Sequence, residues 1–291
     1  MVLRCLQRRG ADRVVACTVG RDTTLVVRED ARYRELVEIG AREMVHTRVL
    51  TGDPLRSGFP YTDALHAARW LAGATDRAAR ALCLGVGGGI VARQLEHAGA
   101  HVDAVDMSSA VLELARDHFG LRENASLAVH RADAGAFAAN ARTEGYDVVI
   151  IDLFGAFEAS PLLARRTFFE HVRRCLRPGG AIAVNTIGAL DGSSGAMFVI
   201  HRAIAAAFGE LVSEPVLDAR ERATGNLATR PLRNVVTFAT RGPLPGALPN
   251  AMPPPELPEL RAVLASLRPR LAAITAATAD AASDRPLRLP A

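Results

Sequence analysis

Between Ala79 and Thr186 the chain alternates apolar runs of strand length with segments of helical periodicity, and this limits the fold more than any other feature. The runs are RALCLGV, HVDAVDM, SLAVHRAD, YDVVIIDLF and GAIAVNT. Between them lie stretches such as SSAVLELARDHF and RRTFFEHVRRCL, whose apolar residues recur at helical spacing. Strands that are apolar throughout need cover on both faces, and helices placed between successive strands supply it. The expected fold class is therefore α/β, with a Rossmann-like, doubly wound, mostly parallel sheet.

The flanking sequence differs in style. From about Thr23 to Leu50, TTLVVRED, YRELVEIG and EMVHTRVL read as short strands with turns at Glu29-Asp30 and Gly40, a small antiparallel β unit. TGDPLRSGFP reads as a turn, followed by a helix near Tyr61 with Thr62 or Asp63 close to its start. RPGG at Arg177–Gly180 ends a helix sharply. Beyond it come a helix near Ala196–Phe208 and two strands, ELVSEPVL and NVVTFAT. Gly242–Pro258 is proline-rich and reads as a linker, and the alanine-rich tail as a surface helix with a disordered end. The expected organisation is a β unit and connector over 1–60, a Rossmann-like domain over 61–241, and a linker and tail over 242–291.

Composition narrows the function. With 291 residues, 49% of them hydrophobic, the chain can bury a substantial core. All 35 basic residues are arginine, so a Schiff-base lysine and a phosphate-loop lysine are both excluded. The arginines are spread along the chain beside 31 acids, for a formal net charge of +4, which argues against a nucleic-acid partner. Cys5, Cys17, Cys83 and Cys175 lack the paired spacing of a zinc or redox motif, and no histidine pair suggests a metal, so no metal is expected. Charge interrupts the N-terminus before any stretch reaches signal-peptide length, and no run is long enough to span a membrane. A cytoplasmic protein without a membrane partner is expected.

In an open parallel sheet, ligands bind beyond the carboxyl ends of the strands. The first such end carries Gly85-Val86-Gly87-Gly88-Gly89, the second Asp106, the third Asp133 and the fourth Asp152. A dinucleotide fingerprint would place glycine where Ile90 stands, and a phosphate loop needs the missing Gly-Lys pair. A tight glycine turn with an acid about 20 residues later suits a ligand carrying a ribose. Asp133 is placed to accept a hydrogen bond from an adenine amino group, and an acidic pocket without phosphate donors suits a sulfonium. The glycines are therefore assigned to an S-adenosyl compound. Met107 and Ala134, which follow Asp106 and Asp133, are counted in the same site. The plainer readings are that Asp106 and Asp133 only cap helices and that Asp152 is a turn residue.

LGVGGGIVARQL, VDMSSAVLELARDHF, RADAGAF, YDVVIIDLF and FFEHVRRCLRPGGAIAVN together resemble the spermidine synthase (polyamine aminopropyltransferase) family, a branch of the class I S-adenosylmethionine-dependent methyltransferase fold. DPLRSGFPYTDAL and the strands before it are similar to that family's N-terminal β unit and connector. The resemblance implies that Asp106 holds a ribose, that Asp133 reads adenine, and that Asp152 orients and helps deprotonate an attacking amine with Tyr61 nearby. It implies S-adenosylmethionine or its decarboxylated form as donor, a small-molecule amine as acceptor, and a homodimer.

The departures are specific. Gly88 stands where the family has an aspartate that binds the free amine of the decarboxylated donor. His46 stands in place of a glutamine and reads as a surface strand residue in preference to an acid–base group. Asp152 is followed by Leu153-Phe154-Gly155 without the family's second aspartate. Loss of the loop carboxylate removes a penalty against the carboxylate of intact S-adenosylmethionine. Aminopropyl transfer to a polyamine-type amine is the first reading, methyl transfer to a small-molecule amine or hydroxyl the second, and a non-catalytic binding or scaffold protein the third.

Overall fold

The computed structural model describes residues 13–20, 23–75, 78–155, 158–189, 193–217, 221, 232–255 and 257–283. The N-terminal unit is a five-stranded antiparallel meander: β1 (Arg13–Val19), β2 (Thr24–Glu29), β3 (Tyr33–Ile39), β4 (Glu43–Leu50) and β5 (Asp53–Ser57), paired in that order. Two of these strands were not expected. In β5 a proline and alternating charges mask the strand, which is anchored to β4 through only two residue pairs. One face of the sheet contributes Val27, Leu36 and Val49 to a cluster with Ile90, Leu114 and Phe119, so the unit packs against the rest of its own chain.

Two short helices follow, α1 (Pro60–Leu65) and α2 (Ala67–Leu71). Pro60 opens α1, where its missing N–H costs nothing. Asp63 lies in the first turn of α1, as expected, and accepts a hydrogen bond from the Glu259 backbone N–H at 3.0 Å.

The alternating region then forms β6 (Arg80–Leu84), α3 (Ile90–His97), β7 (His101–Asp106), α4 (Ser109–His118), β8 (Leu127–Arg131), α5 (Ala134–Asn140) and β9 (Tyr146–Ile151). A two-residue pairing of β10 (Phe154–Gly155) with β11 (Glu158–Ala159) precedes α6 (Arg166–Cys175), β12 (Leu176–Gly188), α7 (Gly195–Phe208), β13 (Val212–Pro215), β14 (Arg233–Thr240) and α8 (Leu260–Ser283). The large sheet has the order β13-β14-β12-β9-β6-β7-β8. Strands β6, β7, β8, β9 and β12 run parallel, and β14 is antiparallel to β12. Every residue of β9 is buried, as a strand covered on both faces requires.

The chain leaves β6 toward β7 and β8, then returns to β9 on the other side of β6. The topological switch point therefore lies between the carboxyl ends of β6 and β9, where a doubly wound sheet opens a crevice.

The proline-rich segment is not a free linker. Leu244, Leu248 and Leu257 are buried in one cluster with Trp70, Leu71 and Phe238, and the Trp70 indole donates to the Ala251 carbonyl at 3.0 Å. Burying a leucine side chain is worth about 1.5–3 kcal/mol, enough to hold an irregular backbone against the core. Leu260, Val263, Leu264, Leu267 and Leu271 of α8 enter the same cluster, so this helix is docked and not merely superficial. The end of the tail beyond 283, Cys5 and the rest of 1–12 lie outside the described residues. Among the described residues no helix is long and apolar enough to cross a membrane.

Candidate active site

A cavity of about 630 Å³ opens at the switch point, walled by the strand ends of the large sheet, the start of α1 and strands β3 to β5. Its first wall is the turn after β6. Gly85, at φ +88°, has its N–H on the Val105 carbonyl at 2.9 Å, and a Cβ there would overlap the carbonyl oxygen of Asp152. Only glycine lets the ends of β6 and β9 come this close. Gly85, Val86 and Gly87 line the cavity.

Gly88 and Gly89, expected with the ligand-binding loop, are not among the residues that line the cavity. A Cβ on Gly88 would lie 2.7 Å from Thr47 Cγ2 and 3.1 Å from the Phe119 ring, and one on Gly89 would lie 2.8 Å from Leu121 Cδ1. Their missing side chains make room for protein packing. The Gly88 N–H donates to Thr47 Oγ1 at 2.6 Å, so β4 pins the loop. The space a side chain at Gly88 would take is already filled.

Asp106 ends β7. Its Oδ2 accepts the Val86 N–H at 3.0 Å and its Oδ1 the Ser108 N–H at 2.9 Å, which ties the carboxylate to the glycine turn and to the start of α4. Each oxygen keeps a lone pair for a ligand hydroxyl. Met107, 70% exposed, lines the rim beside it. Asp133 is the N-cap of α5 and accepts the Ala136 N–H at 2.8 Å; it and Ala134, the first residue of that helix, also line the cavity. The capping role anticipated for Asp133 is present together with the cavity position.

Asp152, just past β9, is held differently. Its Oδ2 accepts the Tyr61 hydroxyl at 3.1 Å and its Oδ1 the Asn185 amide at 2.8 Å, while Asn185 Oδ1 accepts the Asn234 amide at 3.0 Å. Removal from water pushes the carboxyl above its usual range, opposed by the Asn185 and Tyr61 hydrogen bonds and the nearby His46. The same loss of hydration, with the Asp152 charge beside it, holds the Tyr61 phenol well above its ordinary value. A carboxylate with raised proton affinity, gripped by two donors, can position and polarise an X–H group next to it.

His46 is not a surface strand residue. Its side chain is 19% exposed, lines the cavity, and places Nε2 2.8 Å from Glu38 Oε2. Sequence reasoning also missed Glu38, Thr47, Asn185 and Asn234. Asn185 was the accessible one: the strand-end rule applied to the fifth apolar run, GAIAVNT, points to it.

Residues 81–180 match the methyltransferase domain family. Over 186 residues, 61% of this chain, the sequence is 31% identical to a probable polyamine aminopropyl transferase of Bifidobacterium longum. Over 116 residues, 37% of this chain, it is 38% identical to a polyamine aminopropyltransferase of Prochlorococcus marinus. Each match covers 40% of the relative's own length. The fold is similar to that of a probable spermidine synthase from Corynebacterium glutamicum, with a TM-score of 0.66, 18% identity and coverage of 86% of both chains. Spermidine synthase from Thermotoga maritima aligns with a TM-score of 0.57 and 16% identity over 79% of this chain and 73% of its own. The protein thus has the class I methyltransferase fold with an added N-terminal antiparallel sheet. Part of the sequence is similar to polyamine aminopropyltransferases, and the fold as a whole is similar to that of the spermidine synthase structures.

Proposed function

We propose that this chain is a transferase that binds an S-adenosyl donor at the β6–β7–β8 end of the cavity and passes an aminopropyl group to a polyamine-type amine held at the β9 end. The observation that carries the reading is the Tyr61–Asp152–Asn185 network, which shares one cavity with the Gly85 turn and Asp106. Asp106 takes the ribose hydroxyls, and Asp133 and Ala134 the adenine edge, with Met107 over the rim. The named relatives support aminopropyl transfer in preference to other S-adenosyl chemistry.

In this mechanism the acceptor nitrogen attacks the carbon next to the sulfonium. Asp152 and Tyr61 orient the amine and draw charge from its N–H as the bond forms. The sulfur leaves as a neutral thioether, so no covalent enzyme intermediate is needed. Holding both reactants in one geometry supplies most of the acceleration.

Methyl transfer from intact S-adenosylmethionine stays as a second reading because of one feature. Thr47 and Phe119 fill the position of the loop acid that would select the decarboxylated donor. The by-product separates the two. Incubation with decarboxylated S-adenosylmethionine and putrescine should release methylthioadenosine, whereas a methyltransferase would release S-adenosylhomocysteine from the intact donor. Release of neither, with nucleoside binding intact, would favour a binding protein.

A further inference from the structure

His46 and Glu38 face the cavity but have no task in the mechanism above. Strands β3 and β4 pair regularly from Tyr33 with Leu50 to Leu36 with Thr47, then resume at Val37 with Val45, so His46 is the extra residue of a β-bulge. A bulge re-aims side chains at the point where it interrupts the ladder. Here it lets consecutive residues serve one site: Thr47 reaches the Gly88 N–H while His46 lines the cavity. Glu38, 13% exposed and opposite Met44 in β4, grips His46 Nε2 at 2.8 Å. No hydrogen bond engages His46 Nδ1 among the described residues. A histidine fixed at one ring nitrogen by a carboxylate and open at the other is the arrangement of a base with its orienter.

We propose that His46, oriented by Glu38, is the general base that receives the proton shed by the acceptor. The proposal rests on the transferase reading of the cavity. As the acceptor nitrogen's electron pair forms the new bond to carbon, the carbon–sulfur bond breaks and its pair goes to sulfur. The proton on that nitrogen passes to His46 Nδ1. The resulting imidazolium is stabilised by Glu38 through Nε2–H, with Asp152 across the cavity adding attraction. The titratable and charged groups that line the cavity with His46 are Glu38 from β3, Arg48 further along β4, Tyr61 from α1, Cys83 on β6, and Asp106, Asp133 and Asp152 at the strand ends.

The test uses the full chain with decarboxylated S-adenosylmethionine and putrescine, read by methylthioadenosine release. His46→Gln keeps a polar side chain that cannot carry the proton. It should lower kcat by about 10²–10³-fold. Methylthioadenosine affinity by calorimetry should change by less than about threefold, because His46 is assigned to the acceptor end. Glu38→Gln should cost roughly tenfold. Turnover of His46→Gln within about twofold of the parent overturns the proposal.

A second readout needs no turnover. Nitrogen-15 NMR of the wild-type protein saturated with methylthioadenosine should find His46 in the Nε2–H tautomer, and Glu38→Gln should release that preference. An Nδ1–H tautomer overturns the proposal alone. Absence of any nucleoside binding overturns the transferase reading and this proposal with it.

Discussion

Asp106 and Asp152 close the two ends of one cavity, yet they are held in opposite ways. Asp106 is fixed by backbone N–H groups of Val86 and Ser108, in the turn one strand earlier and in its own strand-to-helix turn. Asp152 is fixed by side chains 91 and 33 residues away, Tyr61 before the sheet and Asn185 at the end of another strand. The first end is made of strand-turn-helix units that each carry their own hydrogen bonds. The second exists only once α1, β9, β12 and the bulged β4 have come together. An end built from backbone tolerates side-chain change around it, whereas one built from converging side chains can diversify its acceptor without disturbing the fold.

That contrast can be broken or sharpened by substitution. The largest effect is expected from Asp152→Asn, which should cut turnover by about 10²–10⁴-fold while the calorimetric affinity for the nucleoside stays nearly constant. Equal losses in both would mean that the two ends are not separable. Gly85→Ala strikes the seam between them. The positive φ and the overlap with the Asp152 carbonyl should cost about 2–4 kcal/mol in urea denaturation and impair both ends together. An unfolding midpoint equal to the parent's would show that the β6–β9 approach is slack.

Asp106→Ala should weaken donor binding by about 1–3 kcal/mol with a smaller effect on acceptor saturation, measured by titration and by KM for each substrate. The smallest effect, on stability alone, comes from a site outside both ends. Burial raises the Asp63 carboxyl to about 7, so the folded chain holds a proton that the unfolded chain releases at lower pH. Its contribution to stability is full below the ordinary carboxylate range and is lost as pH rises through about 7. Asp63→Asn should therefore gain on the parent between acid and pH 8, read from denaturant midpoints across pH. Parallel curves would contradict this.

The same contrast explains what could be read from the sequence. The parallel sheet, the glycine turn and the aspartates at its strand ends are legible because each is a local pattern: an apolar run, then a punctuating residue. The catalytic role of Asp152 and the place of Tyr61 beside it came from the family resemblance, since nothing local joins the two. His46 was misread because strand alternation cannot reveal a bulge, and the bulge is what turns that ring into the cavity. Thr47 was missed for the same reason. At Gly88 and Gly89, Thr47, Phe119 and Leu121 occupy the space a side chain would take, a packing constraint the glycine cluster alone does not reveal. The prolines of 242–258 concealed leucines that complete the core around Trp70.

The most direct measurement is calorimetric titration of the wild type, Asp106→Ala and Asp152→Asn with S-adenosylmethionine and, separately, with its decarboxylated form. The account predicts that at least one donor binds the wild type, that Asp106→Ala loses most of that affinity, and that Asp152→Asn keeps it. Failure of both donors to bind, or undiminished binding by Asp106→Ala, would contradict it.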